Sequence, residues 1–260
     1  MNKSYVLDTL MRFLSFRLEN SQTILSIFSE LDGAIAHCDG NKNNFVYIPG
    51  KRSDRVVLIA HADTVWDEYY FRESYSYITQ NFLDKLPSLK HVPIYNGQII
   101  YQKGSKDWGL GADDRAGCAL LWLFRNSGHS LLITDGEEHG QSGSYHLIKN
   151  YKEIAEELNN HRYMIQFDRR GSSDYKTYYL AVSKEFRHYI EMHTSFQDAG
   201  KSSRTDIVTL CKKICGVNLS IGYYNEHTEQ EYLSFSNWMN TYLIVKNMLE
   251  NEQPFFPLDL

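Results

Sequence analysis

No uninterrupted apolar stretch of about 18 residues occurs in the 260-residue chain, which excludes a transmembrane helix. The opening MNKSYVLDTLMRFLSFRLEN scatters charge along its length, so the apolar centre of a secretory signal is missing as well. There is no excess of basic residues: the net charge is −5, and no patch suggests nucleic-acid binding. Cysteine is scarce. Cys38, Cys118, Cys211 and Cys215 show no framework spacing, so a disulfide-stapled secreted fold is not expected. Cys211 and Cys215 lie four apart in a stretch with helical character and read as two small buried residues rather than a metal or redox pair. A reducing, cytoplasmic compartment is the expectation. Internal repeats, low-complexity segments and linkers are also lacking.

What remains is the composition of a soluble globular domain, 42% hydrophobic and 23% charged, with 19 Tyr and 13 Phe to build core and pocket wall. The length suits one domain with at most a modest insertion. The chain is organised around GLGADDRAG (109–117), where Asp113 and Asp114 sit among glycines between a strand-like GQIIYQKG and a helix-like CALLWLF. Glycine there permits close backbone approach. Acids at such a place are either a helix cap or metal ligands.

Apolar spacing predicts helices over 4–17, over a run opened by a Ser21 cap, and over 114–125, 152–160, 184–193, 206–216 and about 231–250. Gly216 reads as the residue ending the helix from 206. Strands are predicted at 34–38, 45–48, 56–60, 130–134, 163–168, 177–182 and 217–224. Val56–Ala60 is apolar throughout, as in a central strand buried on both faces. Residues 66–98 read as a loop-rich insertion. Strands alternating with helices predict an α/β fold: a three-layer α/β/α sandwich around a mostly parallel mixed sheet.

Five strand or loop ends carry acid or imidazole groups: His61-Ala-Asp63, Asp113, Glu137-Glu138, Asp168 and His227. In an open parallel sheet, functional groups gather at the carboxyl ends of strands, so these could converge. Carboxylates crowded together cannot all stay ionised. Protonation, exposure on a rim, or two divalent cations would each relieve them. Imidazole with carboxylate suits Zn²⁺, and a carboxylate can bridge two metals. In a strand, residues i and i+2 share a face, so Asp63 could hold the second nitrogen of His61. The Glu137-Glu138 pair suits a division in which one binds metal and the other takes a proton from water.

The ordered stretches VVLIAHADTV, GLGADDRAG, LLITDGEEHGQSGS, MIQFDRRG and IGYYNEHTEQEY resemble those of the co-catalytic di-zinc exopeptidases, the group of aminopeptidases, tripeptidases, glutamate carboxypeptidases and aminoacylases. The resemblance implies a phosphorylase/hydrolase-like core holding two Zn²⁺, with Co²⁺ or Mn²⁺ fitting the same donors. It implies His61 and Asp168 on one ion, Glu138 and His227 on the other, and Asp113 bridging both. Glu137 would be the general base, Asp63 would orient His61, and the Asp113–Asp114 peptide bond would be cis. The 59 residues between Asp168 and His227 read as core elements and leave no room for the lid or dimerisation domain of the lidded branch. The expectation is therefore a single catalytic domain over 1–260.

The expected activity is hydrolysis of a peptide or amide bond, aminopeptidase-like. The alternatives are an N-acyl amidohydrolase or deacylase and, further off, a non-catalytic binding protein on the same fold. A peptide or N-acyl small molecule is the expected partner, with no nucleic acid and no membrane. SSRTD (202–206) would either place a hydroxyl or Asp206 at the site mouth or act as a plain helix cap. Arg169 and Arg170 would either bind a substrate carboxylate or be ion-paired.

Overall fold

Val57–His61 (β3) lies at the centre of the molecule, and all five of its residues are buried. Its alternate side chains feed two separate cores. Leu58 and Ala60 join one, with Val46, Leu131, Ile133, Ile165 and Phe167. Val57 and Ile59 join the other, with Tyr47, Leu132 and Met164. This period-two division makes a sheet with helices on both faces. The computed structural model describes residues 3–39, 42–67, 91–104 and 108–259.

The remaining strands of the main sheet are Ile35–His37 (β1), Phe45–Ile48 (β2), Ser130–Thr134 (β6), Met164–Arg169 (β7), Asp174–Lys176 (β8), Gln197–Asp198 (β9) and Gly216–Ser220 (β10). They run in the order β1-β2-β6-β3-β7-β10-β8-β9. The central block β6-β3-β7-β10 is parallel, while β2 and β8 join its two sides antiparallel. On one face pack Lys3–Leu14 (α1), Gln22–Ser29 (α2), Ala112–Phe124 (α3), Lys184–Thr194 (α6) and Phe235–Glu250 (α8). On the other lie Ser142–Asn150 (α4), Lys152–Leu158 (α5) and Asp206–Leu210 (α7). The expected three-layer α/β/α fold is the observed one.

A second sheet was not anticipated. Pro93–Tyr95 (β4), Ile99–Gln102 (β5), Tyr223–Tyr224 (β11) and Tyr232–Ser234 (β12) pair antiparallel in the order β11-β12-β5-β4. Part of the proposed loop-rich insertion 66–98 is therefore strand, and residues 68–90 of it lie outside the described residues. This small sheet brings the chain entering the 109–113 loop beside the chain carrying His227.

Several local expectations are corrected. TYYLAV is not a strand: β8 ends at Lys176, and Tyr178 turns into the left-handed region (φ 53°), its ring packing in the second core. The helix from 206 stops at Leu210, because Cys211 is already extended (ψ 114°). Gly216 opens β10 instead. A Cβ there would lie 2.5 Å from the Cys211 sulfur, so close packing and not helix termination demands glycine. Ser21 makes no cap bond, and its hydroxyl accepts from Lys42 Nζ at 3.0 Å. The final helix starts at Phe235, after β12.

Two buried histidines fasten the far edge of the sheet. His129 Nδ1 accepts the Val56 N–H at 3.2 Å, and its Nε2–H faces the Leu249 carbonyl at 3.2 Å. His161 Nδ1 donates to the Glu157 carbonyl at 2.8 Å, leaving Nε2 to accept from Arg55 at 3.1 Å and Ser130 at 2.7 Å. Both rings are thus held neutral. Burial pushes both down, His161 to about 4. Their stabilising contribution is complete above about pH 6.5, the unfolded value, and declines as acid protonates the unfolded chain first. For His161 the loss is expected to reach about 2 kcal/mol by pH 5. Thermal unfolding of wild type and His161→Gln at pH 7.5 and 5 checks this, the acid-dependent loss being smaller in the variant.

Candidate metal centre and active site

Three neighbouring parallel strands end together. His61 closes β3 opposite Thr134, the last residue of β6, so Asp135–Glu138 emerge beside it. Asp168 lies near the end of β7, next to β3. The 109–113 loop reaches over them from the second sheet before α3, which packs on β3 and β7. His227 comes from the turn between β11 and β12, its φ of 63° turning the chain sharply. The residues predicted to converge do so, and the Asp113–Asp114 bond is cis, as the resemblance implied.

Asp113 stands between two imidazoles. Its Oδ1 is 3.2 Å from His61 Nε2, and its Oδ2 is 3.2 Å from His227 Nε2. Asp168 Oδ1 lies 3.5 Å from His61 Nε2, and Glu138 Oε1 lies 3.0 Å from His227 Nε2. These are the separations of donors sharing an ion. With metal–ligand bonds near 2.0–2.1 Å, neighbouring tetrahedral ligands sit about 3.3 Å apart. Glu138 Oε1 is buried and makes no hydrogen bond despite its closeness to His227. His61 Nδ1 sits 3.1 Å from the Asp63 carbonyl, a partner for Nδ1–H that leaves the Nε2 lone pair free. Two metal-sized clusters arise, His61 with Asp113 and Glu138, and His61 with Asp114 and Asp168. Asp114 is better explained otherwise. Its oxygens accept the backbone N–H of His61 and Gly117 at 3.1 and 3.0 Å, fixing the start of α3.

Charge makes the same case. Four carboxylates (Asp113, Glu137, Glu138, Asp168) face two imidazoles. Burial, with Asp168 as neighbour, holds the Glu137 carboxyl well above its usual range. Burial raises Glu138 and Asp168 too, each with Asp113 adding to it. The imidazoles are also driven upward, against the burial that disfavours their charge, by Asp113 and Asp168 at His61 and by Asp113 and Glu138 at His227. Such a set calls for further positive charge. The residues present therefore fit divalent cations.

Around this centre lie groups that position its acids and imidazoles. Asp63 stands 3.3 Å from His61 Nδ1, where it was expected. Its two oxygens also accept the backbone N–H of Glu137 and Glu138, each at 3.2 Å, tying the β6 loop to β3. Asp168 Oδ2 accepts from the Thr205 hydroxyl at 2.6 Å and from Gln166 at 3.0 Å. The hydroxyl of SSRTD that serves the site is thus Thr205. Asp206 points away from the mouth, accepting from Ser144 and Thr134, each at 2.5 Å. Arg169 and Arg170 are ion-paired, to Asp174 at 2.7–2.8 Å and Glu226 at 2.7 Å.

Glu231, buried, takes the N–H of Gly111 at 2.6 Å and of Asp113 at 3.1 Å. It clamps the backbone that aims Asp113. Glu231→Ala is expected to weaken metal binding about 10–100-fold, the range for groups that orient ligands. Competition with a chromophoric chelator reads this directly.

The family model of peptidase family M28 matches residues 43–238. The chain belongs to peptidase family M28. It is accordingly a hydrolase of peptide bonds in the co-catalytic exopeptidase superfamily, and the N-acyl deacylase and binding-protein alternatives are not favoured. No curated protein sequence matches it. Among solved structures, the M28 chain is similar in fold to aminopeptidase PepT from Bacillus cereus, with a TM-score of 0.62, 14% identity, and 96% of this chain and 98% of that one covered. A Staphylococcus aureus tripeptidase gives 0.62 and 13%, covering 96% and 100%. Aminopeptidase APDkam598 from Desulfurococcus kamchatkensis gives 0.63 and 13%, covering 95% of each. No helix among the described residues is long and apolar enough to cross a membrane.

Proposed function

We propose that this M28 peptidase is a zinc-dependent exopeptidase of aminopeptidase type, working with two Zn²⁺ in a single catalytic domain. The observation that carries the reading is Asp113, whose two oxygens face different imidazoles at equal distance. On this reading His61 and Asp168 would hold one ion and Glu138 and His227 the other, with Asp113 contributing to both. Bound there, the ions would polarise the scissile carbonyl and lower the pKa of a water. Glu137, lining the same cavity as Asp113, Glu138, Asp168 and His227, takes a proton from the attacking water and returns it to the leaving amine. Asp63 fixes His61 and, through its bonds to the Glu137 and Glu138 N–H groups, the base as well. Four free cysteines, three of them buried, agree with a reducing cytoplasmic compartment. The similar PepT and APDkam598 structures, both named aminopeptidases, support the amino-terminal assignment.

The test joins metal analysis to a substrate panel. About two zinc equivalents per chain are expected by elemental analysis. Peptides with a free amino terminus should be cleaved from that end, and their N-acetylated counterparts should resist. Cleavage confined to N-acyl amino acids would replace the peptidase reading with the deacylase one.

A further inference from the structure

The cavity above the catalytic carboxylates has a wall of opposite charge. It encloses about 310 Å³, near the lower end of small-ligand sites, and Arg169, Arg170, Lys176 and Arg204 line it together with the acids. In a chain of net charge −5 this concentration of cations is local. Arg169 and Arg170 are already paired to carboxylates. Lys176 and Arg204 are not. Among the described residues neither meets a carboxylate. Lys176 Nζ, on a residue only 6% exposed, touches the Ser202 carbonyl and hydroxyl at 2.9 Å each and the Ser203 hydroxyl at 3.4 Å. Arg204 Nη2 touches the Tyr145 hydroxyl at 2.9 Å.

The Lys176 ammonium lines the cavity with only neutral oxygens of the described residues in hydrogen-bond reach, so a carboxylate entering there would gain a charge-assisted partner. The catalytic acids do not pair with the ammonium. They lie across the cavity, with Tyr178 between: Asn218 donates to the Tyr178 hydroxyl at 2.9 Å and to the Asp168 carbonyl at 2.8 Å, and the Lys176 ammonium lies 5.7 Å from the Tyr178 ring centroid. One short segment serves both sides. Ser202 holds Lys176, and Thr205, three residues on, holds Asp168. The cation and the metal-ligand acid are thus held by one short segment.

We propose that Lys176 and Arg204 form a carboxylate-binding subsite, so that the preferred substrates are short peptides carrying a carboxylate on a residue flanking the scissile bond. The inference rests on the exopeptidase reading for the bond that is cut. The carboxylate comes either from a free carboxyl terminus or from an acidic side chain. A charge-assisted pair of this kind is worth about 30-fold in affinity over the uncharged amide.

Reduced-amide dipeptides, with CH₂–NH in place of the scissile CO–NH, supply probes that the enzyme cannot cleave. The probes are Ala-Ala, Ala-Ala-amide, Ala-Asp-amide and Asp-Ala-amide in that form. Calorimetric titration into zinc-loaded and metal-free protein is paired with hydrolysis of the matching true peptides by the loaded enzyme. At least one acid probe is expected to bind about 30-fold more tightly than Ala-Ala-amide. Preference for Ala-Ala marks a carboxyl terminus as the ligand, and preference for an Asp probe marks a side chain. Lys176→Met and the surface variant Arg204→Ala should each shrink that ratio, in Lys176→Met to about threefold or less. Equal binding of acid and amide by wild type overturns the subsite, whatever the variants do, while hydrolysis of all four peptides would leave the peptidase standing. Acid preference without any hydrolysis upholds the subsite and removes the exopeptidase reading instead.

Discussion

Asp113→Ala is expected to empty the metal centre. The wild-type chain should carry about two zinc equivalents and the variant fewer than one. The reason lies in the pairing of each Asp113 oxygen with a different imidazole. On the proposed assignment every other ligand serves one ion. Without Asp113, His61 keeps Asp168 at 3.5 Å and His227 keeps Glu138 at 3.0 Å, each a two-donor remnant. Peptide hydrolysis should fall by about 10³-fold or more, because Lewis-acid activation is worth several kcal/mol. The fold should survive. The Asp113 N–H is held by Glu231, and Asp114 retains its bonds to His61 and Gly117. Elemental analysis with circular dichroism separates loss of metal from loss of structure. Full metal content in a folded Asp113→Ala protein would refute the bridging assignment.

The centre was legible because its donors end apolar runs. VVLIA runs into His61, LLIT into Asp135–Glu138, and YMIQF into Asp168, and a parallel sheet delivers such ends to one edge. The cores were legible for the same reason, since strands buried on both faces are apolar throughout. Glu231 was not. The turn NEHTEQE contains three glutamates, and nothing local separates the buried one from Glu226, which pairs with Arg170, or from exposed Glu229. Only the tertiary placement of the second sheet, which sets this turn against the 109–113 loop, gives Glu231 its two backbone donors. Lys176 was hidden in a similar way. Its neighbours TYYLAV suggest strand by residue type. Yet Tyr178 leaves the extended region, and Lys176 ends β8 with its ammonium against the 202–203 loop. Close approach likewise decided Gly117. A Cβ there would stand 2.3 Å from the Phe167 carbonyl, so α3 packs directly on the strand that carries Asp168. None of these distant pairings leaves a periodic trace.

Glu137→Gln separates chemistry from metal binding. Gln has the same shape and cannot accept a proton, so kcat should fall by about 10³-fold, within the span attributed to general acid–base groups. Zinc content should stay near two equivalents, because Glu137 is not among the groups paired with either imidazole. KM should change little, since the side chain acts on the water and not on the bound peptide. Glu138→Gln is the contrasting change. Glu138 lies one residue further on and is buried against His227, so its loss should weaken one metal equivalent along with the rate. The backbone N–H groups of both residues remain tied to Asp63 in either variant, so the loop should not move. Two adjacent, nearly identical substitutions are thus expected to differ in kind: one leaves a loaded, folded and slow enzyme, the other an enzyme whose rate recovers as zinc is raised. If added zinc rescued Glu137→Gln and not Glu138→Gln, the roles of the two glutamates would have to be exchanged.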